Sequence, residues 1–376
     1  MITGRRWLNS ADSHVNEPPD LWEKALGRRY GDAVPRVIEP TGGARSTSVV
    51  GGGRVYFTGE DYIPVGELVL GDPVLEKVRR TNVDPAFRAA CMDEDGVWGE
   101  LLFPTKAMMI FPLADAELSR ACLTVYNDWL HDYCHGAPTR LFGAALINTE
   151  NIERAIAELE RNAKRGFRAA MINGDVRPEW GAYRDAKYDK LWARAEEMEI
   201  PICLHISTGM KKDIFLFTGP KLGEAARGYL DLMAEAGEVL ANEFIFGGIL
   251  DRFPRLKLFL VEYEASWLPH WLFRTEQVAN DFGPNIGVVK PKRPIRSYLD
   301  QIYVGVIDDP FVRHVSDAMD PARLVWGSDY PHVRNTFGKS HATVARIFGH
   351  LAPATIDAIA VGNAARLFKI AMPAAS

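Results

Sequence analysis

The chain has 376 residues, of which 47% are hydrophobic and 25% are charged. This balance is typical of a globular protein and excludes a mainly disordered one. The net charge is −5, and the lysines and arginines are scattered and form no basic stripe along the sequence. We therefore expect no nucleic-acid partner. The sequence has no apolar run of about 18 residues and no signal-peptide core near its start, so we expect no membrane partner and a cytoplasmic protein.

The four cysteines are Cys91, Cys122, Cys134 and Cys203, and none of them has CxxC or other zinc-knuckle spacing. We therefore expect neither a disulfide framework nor a thiolate metal site. The cysteines are interpreted as reduced packing residues.

The first predicted element is a strand over residues 6–15, which runs into polar residues and the turn-forming NEPPD. Residues 31–65 alternate β-branched and small residues around glycines, which predicts an inserted β-hairpin region. Segments with helical spacing of apolar residues follow, for example residues 116–136, 151–166 and 189–200. Further apolar runs predict strands over residues 97–105, 141–149, 167–173, 201–208, 256–264, 301–307 and 323–331.

Strand and helix thus alternate eight times, and the strands are continuously apolar, as in a sheet covered on both faces. This pattern predicts a parallel (β/α)8 barrel of the TIM type, with the insertion after the first strand and extra helices at the C-terminus. A doubly wound open sheet is the alternative, but its usual glycine-rich first turn is absent from the sequence. We expect residues 1–376 to form a single domain.

Four polar side chains lie at the predicted carboxyl ends of distant strands. Asp12 and His14 are two residues apart on the first strand, so both should point into the barrel mouth. His205 ends the fifth strand and Asp329 the eighth. Two imidazoles and two carboxylates that converge on one point form a ligand set for a divalent metal ion.

The stretches DSHVNEP, PICLHIST, LDRFPRLKLFLVEYEASWLP, WGSDYPH and GNAARLF together resemble the amidohydrolase-related family. More narrowly, the chain is similar to the branch with aminocarboxymuconate-semialdehyde decarboxylase and the resorcylate-type decarboxylases, and the likeness covers nearly the whole chain. The resemblance implies that Asp12, His14, His205 and Asp329 ligate one divalent ion. The second carboxylate makes manganese a rival to zinc as that ion.

The sixth strand departs from this family pattern, because the decarboxylases resembled carry a histidine where the alignment places Glu262. A carboxylate beside a metal-bound water can accept its proton, so Glu262 could be the general base of a hydrolysis. It could equally hold His205 or be a solvated residue of the rim.

Three further acid and histidine residues lie close to these strand ends. His332 follows Asp329 by three residues and could contact substrate. Glu264 would face inward if the sixth strand extended that far. Glu17 could orient a ligand, although we favour a role in capping the helix that follows it.

The pocket would be negatively charged, so an anionic substrate would need a cationic partner. Arg334, Lys211 and Lys212 lie in loops after the eighth and fifth strands and could supply it, although loop cations are usually solvated.

Three functions remain open on the sequence alone. The leading hypothesis is a mononuclear metal-dependent hydrolase of a small aromatic or cyclic carbonyl or carboxylate compound, with Glu262 as the base. The alternative is a non-oxidative decarboxylase of an aromatic or muconate-type acid, in which Asp329 or His332 protonates the substrate carbon. The third is a barrel that binds a ligand without turnover. Members of the family resembled are often dimers or larger assemblies, so a homo-oligomer is expected. No interface can be identified in the sequence.

Overall fold

The computed structural model describes residues 7–38, 47–51, 54–59, 73–209, 233–332 and 334–373. Their strands, in chain order, are β1 (Leu8–Val15), β2 (Arg36–Ile38), β3 (Thr47–Gly51), β4 (Arg54–Gly59), β5 (Val97–Pro104), β6 (Leu141–Leu146), β7 (Ala169–Ile172), β8 (Ile202–His205), β9 (Leu258–Val261), β10 (Ile302–Val306) and β11 (Leu324–Trp326).

The α-helices span Leu21–Tyr30, Pro73–Thr81, Pro85–Asp95, Ala116–His135, Ile152–Lys164, Asp189–Met198, Ile249–Arg252, Leu268–Gln277, Gly283–Ile286, Ile295–Tyr298, Ser340–Phe348, Pro353–Asp357 and Asn363–Leu367. A further helical stretch, residues 233–239, continues into a π-helical turn at Leu240–Ile245. Two more π-helical turns lie at Val278–Phe282 and Ala358–Gly362.

Eight strands form one parallel sheet in the order β1-β5-β6-β7-β8-β9-β10-β11. The barrel is closed between its first and last strands by backbone hydrogen bonds just beyond β11. The N–H of Asp329 donates to the carbonyl of Asp12 at 2.9 Å, and the N–H of His14 donates to the carbonyl of Tyr330 at 2.7 Å. The predicted (β/α)8 barrel is confirmed.

The strands and helices form where their residue patterns require. β9 reads LFLV and is fully buried, as expected of a barrel strand covered on both sides. The helix Ile152–Lys164 buries Ala155 and Leu159, which are four residues apart, and its N-terminus is capped by Asn151, whose side chain accepts the N–H of Arg154.

The predicted β-rich insertion is confirmed as a small antiparallel sheet in the order β2-β3-β4. Residues 39–46, 52–53 and 60–65 of the predicted insertion lie outside the described residues. The extra C-terminal helices are also confirmed, and they cover the closure of the barrel from outside. Asn363 on the last helix donates to the carbonyl of Leu324, and Asn9 on β1 donates to the carbonyl of Val361.

All barrel strands except β1 end earlier than predicted, and two of these early ends concern the site. β9 stops at Val261 and β11 at Trp326, because Glu262, Glu264 and Asp329 have left-handed backbones with φ of 66°, 54° and 55°. A strand cannot continue through such residues. Within the described part of the chain, no helix is both long and apolar enough to cross a membrane.

Candidate metal centre

His14 is the centre of a buried cluster at the carboxyl end of the barrel. Its Nε2 lies 3.3 Å from Nε2 of His205, and 3.5 Å from a carboxylate oxygen of both Asp12 and Asp329. Asp12 and His14 share one face of β1, and all four side chains are almost completely buried. The structure therefore brings together the four residues that were predicted as metal ligands.

The hydrogen bonds of the two histidines fix their tautomers. His14 Nδ1 lies 2.7 Å from the carbonyl of Pro104, and His205 Nδ1 lies 2.9 Å from the carbonyl of Ile206. A carbonyl only accepts, so Nδ1 of each neutral ring carries the proton and Nε2 carries a bare lone pair. Two lone pairs that face each other need a shared cation, and backbone carbonyls commonly orient metal-binding histidines in this way.

The two aspartates of the cluster are buried in a position where ionised carboxylates would be costly. Both oxygens of Asp12 are buried without a hydrogen-bond partner among the described residues, and Oδ1 of Asp329 is buried against the rings of His14 and His332. Burial, reinforced by Glu262, raises the pKa of Asp12 to about 7 and raises the pKa of Asp329 well above its usual range. Burial likewise lowers the pKa of His14 and His205. These carboxylate oxygens and imidazole nitrogens fit a divalent cation. Its positive charge would offset the cost of burying the two carboxylates.

Glu262 faces the cluster although it lies just after its strand. Its Oε2 lies 3.3 Å from His205 Nε2 and 3.9 Å from His14 Nε2, and the side chain is 12% exposed. Burial works against its charge, but neighbouring histidines, His332 first, hold its pKa below the usual range. The side chain can therefore act as a further ligand or as a base.

His332 joins the same cluster from the loop after β11. Its Nδ1 lies 2.9 Å from Asp329 Oδ1, its ring stacks on His14 with centroids 3.7 Å apart, and its Nε2 lies 3.3 Å from the hydroxyl of Thr105. Burial opposes its positive charge, but Asp329 and Glu262 outweigh burial and raise its pKa. Ligand atoms of His14, Glu262, Asp329 and His332 all lie within 4.8 Å of one another.

Glu264 is directed away from this cluster. Its carboxylate accepts the N–H groups of Ile307 at 3.0 Å and Asp308 at 3.1 Å, and it pairs with Arg334 at 3.1 Å. The condition under which Glu264 would face inward is therefore not met, because the strand ends at Val261. Arg334 is held at the rim by this pair, while Lys211 and Lys212 lie outside the described residues.

The expectation that Glu17 caps the following helix is wrong. Its two carboxylate oxygens accept the N–H groups of Lys106 and Ala107, both at 2.9 Å, so it holds the loop after β5. Sequence reasoning also missed Arg88 and Glu100, whose buried ion pair at 2.6 Å lies behind the cluster. Neither residue carried a local motif that could have indicated it.

The model of the amidohydrolase family matches residues 12–370. The chain belongs to this family. The match covers the whole His14 cluster and all of the sequence motifs that carry the resemblance. The chain is accordingly an enzyme of the amidohydrolase family.

Named relatives of this amidohydrolase-family chain include decarboxylases. It is 25% identical to a gamma-resorcylate decarboxylase of Polaromonas sp. over 75% of this chain and 86% of that protein. Its fold is similar to that of an amidohydrolase from Mycobacterium avium subsp. paratuberculosis, with a TM-score of 0.75, 19% identity and coverage of 96% and 97% of the two chains.

A second solved structure with this fold is the 5-carboxyvanillate decarboxylase of Novosphingobium aromaticivorans, in complex with manganese and 4-hydroxy-3-methoxy-5-nitrobenzoic acid. Its TM-score is 0.71 and its identity 19%, with coverage of 98% of this chain and 97% of that one. At this identity the likeness establishes the fold alone.

Proposed function

We propose that this chain is a non-oxidative decarboxylase of a hydroxylated aromatic acid and depends on one divalent ion, preferably manganese. The observation that carries the proposal is the meeting of potential ligand atoms from His14, His205, Asp12 and Asp329 at one buried point. The named relatives add the reaction type, because both the Polaromonas and the Novosphingobium proteins are decarboxylases of aromatic acids.

We assign Asp12, His14, His205 and Asp329 to hold the ion, with Glu262 at the edge of the set. When bound, the ion supplies positive charge for the substrate carboxylate and a neighbouring ring hydroxyl. Two aspartates are hard oxygen ligands, which favours manganese over zinc in a mixed oxygen and nitrogen site.

The net reaction breaks the bond between the ring carbon and the carboxyl group, releases carbon dioxide and places one proton on the ring carbon. His332 and Asp329 form the pair that we assign to deliver this proton, since their facing atoms lie 2.9 Å apart. His332 is 19% exposed, so it can regain a proton from solvent after each turnover.

Hydrolysis is the second candidate, because Glu262 lies beside the histidines where a base would take the proton of an attacking water. In both reactions the substrate is a small molecule. We place the enzyme in the cytoplasm, which agrees with its four free cysteines, and keep a homo-oligomer as a prediction.

The test is carbon dioxide release by the manganese-loaded protein from a panel of hydroxybenzoates, run beside a panel of esters, lactones and amides. His205→Gln removes an assigned ligand, while His131→Gln is the matched control on a partly exposed helix position, where His131 contacts Asp132 at 3.0 Å and stacks on His135. We expect wild type and control to release carbon dioxide and His205→Gln to lose about 10³-fold.

If the protein converts the esters, lactones or amides and releases no carbon dioxide from the hydroxybenzoates, the proposal of a decarboxylase is wrong and hydrolysis is supported. Absence of a stoichiometric metal ion in the wild-type protein would contradict both and favour a binding barrel.

A further inference from the structure

Arg88 is a fully buried arginine on the helix Pro85–Asp95, behind the closure of the barrel. Its guanidinium has three partners. Nε donates to Glu100 on β5 at 2.6 Å, Nη1 donates to the carbonyl of His14 at 2.7 Å, and Nη2 approaches the carbonyl of Tyr330 at 3.4 Å. One planar group thus spans the helix, the second barrel strand and both sides of the closure.

The two carbonyls belong to the segments that carry the assigned ligands. His14 is itself a ligand in the proposed site, and Tyr330 directly follows Asp329. The Tyr330 carbonyl also accepts the N–H of His14 at 2.7 Å. Because a guanidinium presents its donors in a rigid fork, it fixes the separation of the two carbonyls as well as attracting them.

Arg88 is positively charged. Burial works against the charged guanidinium, but Glu100 more than offsets this cost and raises the pKa of Arg88. The Glu100 carboxylate is itself buried, so each charge depends on the other. A lysine in place of Arg88 could keep the charge but could not reach three partners in one plane.

Stability alone is a weak reason to retain this pair. Buried ion pairs are often replaceable by apolar residues of similar volume with little loss of stability, because the desolvation of two charges cancels much of their attraction. Here Nη1 and Nη2 of the arginine bind the ligand-bearing backbone, although Tyr133 is also a side-chain neighbour of the guanidinium. The arrangement therefore points to a role in the site in front of it.

We propose that Arg88, oriented by Glu100, is a positioning residue that sets the spacing between His14 and Asp329 and thereby the affinity of the site for its metal ion. This inference rests on the proposed metal-dependent function. It extends that function to a residue that contacts neither metal nor substrate.

The experiment measures the dissociation constant of Mn²⁺ by following the free-ion signal in electron paramagnetic resonance. The test variant is Arg88→Met/Glu100→Met, which removes both charges together and leaves neither one unpaired. The matched control is Arg194→Met/Glu160→Met, which removes a partly exposed ion pair of 2.7 Å between two outer helices and leaves Glu197, the second partner of Arg194, in solvent. Circular dichroism establishes that each variant is folded.

We expect the control to bind Mn²⁺ like the wild type and the test variant to bind it about 10- to 100-fold more weakly while still folded. Arg88→Lys retains the charge, so its Mn²⁺ affinity should lie between those of the wild type and the double variant. It replaces the double variant in the comparison if the double variant does not fold. Equal Mn²⁺ affinity in folded Arg88→Met/Glu100→Met, or in Arg88→Lys, would overturn the positioning role. Failure of the wild type to bind Mn²⁺ would instead overturn the proposed function.

Discussion

The backbone N–H of Asp329 donates a hydrogen bond of 2.9 Å to the carbonyl of Asp12, although the two residues are near opposite ends of the chain. This bond belongs to the closure of the barrel. It explains why acid-and-histidine motifs near opposite ends of the sequence form one site. The two aspartates meet because the first and last strands must pair to complete the sheet.

Three serines reinforce this closure between β1 and the segment that follows β11. The hydroxyls of Ser10, Ser13 and Ser328 lie 2.8 to 3.1 Å from one another, and all three side chains are buried. The Ser10 hydroxyl also donates to the carbonyl of Asp12 and accepts the N–H of Ser328. The serines in SADS and GSD thus connect the two motifs directly.

The first prediction concerns Ser328→Ala. Loss of this hydroxyl removes contacts with Ser10 and Ser13 in a site that water does not reach, and should lower the free energy of unfolding by about 1–2 kcal/mol. Urea unfolding measures the effect. Ser316→Ala is the control, because its exposed hydroxyl makes only a 3.3 Å contact with the carbonyl of Arg313. Equal stability of the two variants would argue against a role for the serine cluster.

Much of this architecture was predictable from the sequence because it depends on local pattern. Continuous apolar runs predicted all eight barrel strands, and the alternation of side chains along β1 placed Asp12 and His14 on one face. The predicted carboxyl ends of the fifth and eighth strands likewise put His205 and Asp329 at the same rim of the barrel. The roles of these four residues as ligands remain predictions.

The sequence could not place the side chains of residues whose partners are distant along the chain. Glu264 faces away because left-handed backbone conformations at Glu262 and Glu264 end the strand pattern, and no local signal indicates them. Glu17 binds the N–H groups of Lys106 and Ala107, some 90 residues away, which a helix-capping rule could not detect. Tertiary hydrogen bonds of this kind override local preference.

The second prediction follows from the contacts of Glu17. Glu17→Gln replaces one acceptor oxygen by an amide that faces the N–H of Lys106 or Ala107, leaving a buried donor unpaired at a cost of about 1–3 kcal/mol. We expect a matching loss in urea unfolding. Glu23→Gln, on the exposed face of the following helix, should leave stability within about 0.5 kcal/mol of wild type.

The third prediction is that manganese stabilises the folded protein. An ion that binds only the folded state adds about 2.7 kcal/mol at a concentration 100 times its dissociation constant. We expect Mn²⁺ to raise the melting temperature of wild type and of His131→Gln, but to have little effect on His205→Gln. The wild-type shift should shrink from pH 8 to pH 5.5, because burial raises the pKa of Asp12 to about 7 and protons then compete for its carboxylate.

The fourth prediction concerns the pH dependence of stability at Asp95, which binds Ser340. Burial raises the pKa of Asp95 from 3.8 to about 6, so the folded state binds more protons than the unfolded state between these values. This residue therefore makes stability fall as pH rises from about 4 to 6, by on the order of 2–3 kcal/mol.

Asp95→Asn removes this titration while keeping the shape of the side chain. Its stability relative to wild type should increase between pH 4 and pH 7, as measured by urea unfolding at each pH. A constant difference across this range would show that Asp95 does not titrate as expected. Asp93→Asn, at an exposed position two residues earlier, is the control, and we expect a small difference from wild type.

The last prediction separates proton delivery from metal binding. His332 contacts Asp329 at 2.9 Å and stacks on His14, but it is not among the four residues assigned to hold the ion. His332→Gln should therefore retain close to one Mn²⁺ per chain while its rate of carbon dioxide release falls about 10²- to 10⁴-fold, the usual contribution of a general acid or base. Asp329→Asn should lose both metal affinity and rate. His314→Gln, an exposed position, should behave like wild type. If His332→Gln keeps its full rate, the proton reaches the substrate from another group, and Asp329 becomes the remaining member of the assigned pair.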